Sequence, residues 1–71
     1  MLLYLNGEKK ELPVLTTVTE LLSFLEISPS FMVAEVNGLM VSSENFSTTQ
    51  IKAGDVIELI QFVGGGAIYF R

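Results

Sequence analysis

The sequence contains neither cysteine nor histidine, and together these two gaps remove most of the reaction chemistry open to a small protein. Without thiols there can be no disulfide, iron-sulfur cluster or thiolate nucleophile, and without imidazole there is no His base and no Cys/His zinc site. A cysteine-free chain is compatible with a reducing cytoplasm. Cations are scarce: four Lys and Arg stand against eight Asp and Glu, a net charge of −4. Lys9, Lys10 and Lys52 form no basic run, which argues against nucleic acid and favours a basic protein partner. Long apolar runs are missing as well. Met1-Leu2-Leu3-Tyr4-Leu5 is cut off by Asn6-Gly7 and charged residues, too short for a signal segment or a membrane span, so a soluble, cytoplasmic protein is expected. With 71 residues, two prolines, 49% hydrophobic and 17% charged residues, the chain has the composition of a single folded domain rather than a disordered one. At that size about 60% of the unfolded surface is buried on folding, which leaves few residues for an elaborate active site.

What is present centres on Val56-Ile57-Glu58-Leu59-Ile60-Gln61-Phe62-Val63, a branched and aromatic run that reads as a buried strand, followed at once by Gly64-Gly65-Gly66. Upstream, residues 2–5 and 9–14 read as a hairpin through Asn6-Gly7. Pro13 puts the second strand at an edge or ends its pairing, and Lys9 and Lys10 guard that edge. Thr17 and Glu20 have capping-box spacing. Val18, Leu21, Leu22 and Leu25 then form one helical stripe, with Phe24 at its margin and Ser28-Pro29 as the stop. Residues 31–36 and 39–41 form a second hairpin through Asn37-Gly38. A polar loop around the apolar anchor Phe46 leads through Ala53-Gly54-Asp55 into the last strand. The order strand, strand, helix, strand, strand, strand predicts an α+β domain: a mixed sheet of four to five strands with one main helix on one face.

These features, in this order, carry a resemblance. Asn6-Gly7, Asn37-Gly38, Phe46, Ala53-Gly54-Asp55 and Val63-Gly64-Gly65-Gly66 make residues 1–66 resemble the ThiS/MoaD group of ubiquitin-like sulfur carriers, with the valine and three glycines nearer to the ThiS side. The resemblance implies a β-grasp domain over residues 1–63 whose first and last strands lie side by side and parallel in mid-sheet, a flexible glycine tail at 64–66 and an extension at 67–71. It also implies a non-enzymatic carrier. The Gly66 carboxylate is adenylated by a ThiF-type activating enzyme that uses ATP and Mg, then converted to a thiocarboxylate that donates sulfur to a thiazole synthase-type acceptor for thiamin. The other sulfur acceptors within this reading are molybdopterin and its like. Glycine suits the role because a chain without a Cβ can enter a narrow slot in any backbone conformation. The carrier itself needs no metal and no catalytic side chain.

Gly66, however, is joined to Ala67, and a peptide carbonyl cannot be adenylated. A precursor cut by a peptidase after Gly66 is therefore expected, and loss of Arg71 changes the net charge from −4 to −5. The rival reading is a hairpin loop with Ala67-Ile68-Tyr69-Phe70 returning as a strand, in a ubiquitin-like interaction module whose uncut tail serves dimerisation or strand addition. If the last strand is central, both its neighbours are already present and a returning strand has no free edge. Alternation places Ile57 and Leu59 in the core and Ile60 and Phe62 on the open face with Leu2 and Tyr4, a docking patch for the activating enzyme. The carboxylates Glu8, Glu11, Glu35, Glu44 and Glu58 read as a solvated surface.

Overall fold

The computed structural model describes residues 1–63 and 66–69. Strands β1 (Leu2–Leu5) and β2 (Glu8–Glu11) form the first hairpin, α1 runs over Val18–Leu25, and β3 (Met32–Val36) and β4 (Leu39–Ser42) form the second. A 3-10 turn at Ser43–Asn45 precedes β5 (Val56–Val63), and β6 spans Gly66–Tyr69. The sheet order is β2-β1-β5-β3-β4, with β6 paired to β5 off this path. Five strands make the expected mixed sheet. The sixth is an addition to it, and it bears on the candidate site.

Both Asn-Gly pairs turn as expected, because Asn6 and Asn37 tolerate the left-handed backbone (φ 47° and 51°) and Gly7 and Gly38 continue it. In α1 the Thr17 hydroxyl accepts from the Glu20 amide at 3.2 Å, while the Glu20 carboxylate reaches past the cap to the Thr16 amide at 2.7 Å. The first helical amides are taken by loop carbonyls, Val18 by Thr49 and Thr19 by Phe46. The helix does not wait for Ser28-Pro29. It ends at Glu26, which is left-handed (φ 58°); the Ile27 amide then bonds to Leu22 O and the Glu26 amide to Ser23 O, a Schellman closure.

One face of the sheet and the apolar stripe of α1 enclose the core. Leu3, Leu5, Met32, Ala34, Val36, Ile57 and Leu59 pack with Val18, Leu21 and Leu22, and Phe46, 2% exposed, fills the space beneath the loop it anchors. The lysines do lie on an edge strand, β2. The opposite edge, β4, carries exposed Leu39 and Met40, so Met40 is not the core or rim filler its chemistry suggests. The third strand begins one residue later than expected, because Phe31 is left-handed (φ 55°) and 80% exposed at its entry.

Candidate functional site

The candidate site is the carboxyl half of β5 and the strand laid against it. β5 lies in mid-sheet, antiparallel to β3 through Val36↔Ile57, Glu35↔Glu58, Ala34↔Leu59, Val33↔Ile60 and Met32↔Gln61. On its other side β1 is parallel, as expected, but only Tyr4↔Val56 and Leu5↔Ile57 are paired. A four-residue strand cannot cover an eight-residue one. This overturns the expectation that no edge is free: β6 pairs antiparallel with the upper half of the same edge, in the register Ile60↔Tyr69, Gln61↔Ile68, Phe62↔Ala67 and Val63↔Gly66. The returning strand is therefore part of the fold, and Gly66 is its exposed first residue. Gly64 and Gly65 lie outside the described residues, so the tail expected over 64–66 is described only at Gly66, where it is a paired strand.

The two asparagines do more than turn. Asn6 Nδ2 donates to Leu59 O (3.2 Å) and its Oδ1 accepts from Leu59 N (2.7 Å), so one side-chain amide stands in for a strand residue where β1 leaves β5. At the start of the strand, Asn37 Oδ1 accepts from Val56 N (2.8 Å) and Asn37 Nδ2 donates to Asp55 Oδ1 (2.9 Å). Asp55, 5% exposed, also accepts from Lys52 N at 2.8 Å, so it joins the turn to the second hairpin. Sequence reasoning saw turn residues in all three. The missed signal is their pairing in sequence with the one strand long enough to outrun its neighbour.

Among the candidate docking residues, Phe62 (48%) and Tyr4 (39%) are exposed and Leu2 is half-buried, whereas Ile60 is only 7% exposed. Ile60 is therefore not an exposed contact in the uncut chain. It lies on the open face, outside the core cluster, but between Val33 of β3 and Tyr69 of β6 in the ladder, and a strand on each side shields it. Glu35 and Glu58 stand directly opposite each other on this face, a like-charged pair beside the apolar residues. A separate groove between α1 and the 3-10 turn, lined by Leu22, Ile27 and Phe46 among others, presents no ionisable side chain. Among the described residues no group of acidic side chains could hold a metal ion. No described helix is long and apolar enough to cross a membrane.

The sequence model of the ThiS family matches residues 3–66 of this chain. The chain belongs to the ThiS family. The fold agrees: the crystal structure of the thiamine biosynthesis protein ThiS from Geobacter metallireducens superposes with a TM-score of 0.78 at 36% identity, covering 93% of this chain and all of that one. The mixed sheet β2-β1-β5-β3-β4 with its one helix is thus the β-grasp of ThiS proteins, and β6 pairs with β5 beside that path. Two curated relatives are thiazole synthases. That from Magnetococcus marinus is 33% identical over 66 residues, 93% of this chain and 20% of its own length. That from Paramagnetospirillum magneticum is 30% identical over 67 residues, 94% of this chain and 21% of its own length. The chain spans about a fifth of the length of these relatives. The ThiS match ends on Gly66, the residue on which β6 begins.

Proposed function

We propose that this ThiS-family chain is a sulfur carrier of the thiamin pathway that works on the carboxylate of Gly66 after residues 67–71 are removed. The observation that carries the reading is the family match that stops at Gly66; the likeness to a ThiS protein and to thiazole synthases supports the pathway. Water adds across the Gly66–Ala67 amide, leaving a carboxylate on Gly66 and an amine on Ala67. A carboxylate oxygen then attacks the α-phosphate of ATP, and pyrophosphate leaves. A hydrosulfide equivalent attacks the acyl carbon and AMP departs, which leaves a thiocarboxylate. The Mg and the acid-base groups belong to a ThiF-type partner, and a thiazole synthase-type enzyme takes the sulfur; the chain contributes an unhindered acid on a rigid sheet. Phe62, Tyr4 and Leu2 form the docking face, joined by Ile60 once β6 has gone.

The test compares the chain ending at Gly66 with the chain ending at Arg71, each with a ThiF-type enzyme and labelled pyrophosphate. Exchange into ATP with the shorter chain alone is expected, with a mass gain of one oxygen-to-sulfur replacement when a sulfur donor is added. No exchange with either chain removes the carrier reading. The paired β6 is the observation that favours the second reading, an interaction module with a permanently attached tail; that module stands if the host protein carries Arg71 on every copy and the uncut chain dimerises through its tail.

A further inference from the structure

We propose that β6 is a lock on its own processing: while residues 66–69 lie on β5, the Gly66–Ala67 bond is withheld from a peptidase, and cutting proceeds only from a form in which β6 has peeled away. The inference rests on the reading that Gly66 is the carboxyl end of the working carrier, and adds how access to that end is regulated.

The backbone groups of β5 are divided between its two edges. The Phe62 amide donates to Phe31 O at 2.8 Å and the Asn37 amide to Val56 O at 2.7 Å, so the even-numbered residues of β5 turn their polar groups toward β3. By alternation the odd-numbered residues face the other edge. There the Asn6 amide meets Ile57 O at 2.9 Å, and the Asn6 side chain takes both groups of Leu59. Next along this edge are Gln61 and Val63, whose register partners are Ile68 and Gly66. The bond to be cut thus joins two residues held opposite Val63 and Phe62, with Gly66 at a hydrogen-bonding position. An enzyme that reads an extended chain by adding it to its own strand must have those same backbone groups free. Native cutting otherwise favours exposed loop tips, and this bond lies inside a ladder. The lock is nonetheless a light one, because β6 is four residues long and follows the glycine run, so it can open without the domain unfolding.

The pair Ile60↔Tyr69 occupies a non-hydrogen-bonded position, where antiparallel Cα atoms are about 4.5 Å apart and within disulfide range. The chain has no cysteine of its own, so the double variant Ile60→Cys/Tyr69→Cys offers one possible crosslink. The full-length variant is treated with subtilisin under native conditions, oxidised and reduced, and masses are read after reduction. Cutting between residues 66 and 69 slowed about tenfold or more by oxidation is the expected result, since proteolysis of a fast-opening segment follows its open population. Equal rates for the two forms overturn the lock. Hydrogen exchange on the unmodified chain checks it independently of the variant: the Val63 and Ile68 amides should be protected, and free-peptide exchange rates at both overturn the proposal. Pyrophosphate exchange by the chain ending at Gly66 tests the carrier alone. If that fails while oxidation still slows cutting, the lock stands without the carrier; if it succeeds while the two rates are equal, the carrier stands without the lock.

Discussion

Replacing Asn6 with glycine should destabilise the domain far more than an exposed turn substitution does. Glycine keeps the left-handed backbone that position 6 adopts (φ 47°), so turn strain is not introduced. What is lost is the side-chain clamp on Leu59, a 2.7 Å bond to its amide and a 3.2 Å bond from Asn6 Nδ2 to its carbonyl, on a residue that is itself fully buried. Two hydrogen bonds at a net of about 1 kcal/mol each give about 2 kcal/mol. Added freedom of the unfolded chain contributes roughly another 0.5–1 kcal/mol. The sum, about 3 kcal/mol, is a large share of the 5–15 kcal/mol typical of a small domain. Urea unfolding followed by circular dichroism measures it: with a slope of about 1 kcal/mol/M, the midpoint should fall by about 3 M at unchanged slope. The variant Asn6→Asp keeps an acceptor for the Leu59 amide but sets an oxygen against the Leu59 carbonyl, and should fall between the two. A loss under about 1 kcal/mol for Asn6→Gly, no more than glycine's flexibility accounts for, would show that the clamp carries no net energy.

Two further outcomes test the local readings. Glu26 closes α1 in a left-handed conformation that costs an L-residue about 1–2 kcal/mol, so Glu26→Gly should raise the melting temperature by roughly 4–8 °C per kcal/mol recovered; an unchanged or lower value refutes the closure. Glu58 faces Glu35 across the β3–β5 ladder, so Glu58→Lys replaces repulsion with attraction and should stabilise the domain by about 0.5–1 kcal/mol in low salt, with the gain shrinking as salt is added.

Much of this molecule was legible in its residues because the signals were local. The period of Val18, Leu21, Leu22 and Leu25, the Thr17 cap and the two Asn-Gly pairs act within one or two turns of chain, and α1 and both hairpins form where those signals stand. Phe46 reads as an anchor from its isolation among polar residues, and it is buried. The helix stop was misplaced because Glu26 takes a conformation that its chemistry does not advertise.

The sequence by itself determined five of the strands, the helix, their order, the family and the position of Gly66 at the end of the family match. Tertiary structure alone decided what happens beside that glycine. Whether β5 has a vacant edge depends on how far β1 accompanies it, a length comparison between two strands some fifty residues apart, and only the folded sheet shows β1 leaving after Ile57, with Asn6 and then β6 taking the positions that follow. Unsatisfied backbone groups in the middle of a sheet must find partners, and here the nearest were on the chain's own carboxyl-terminal residues.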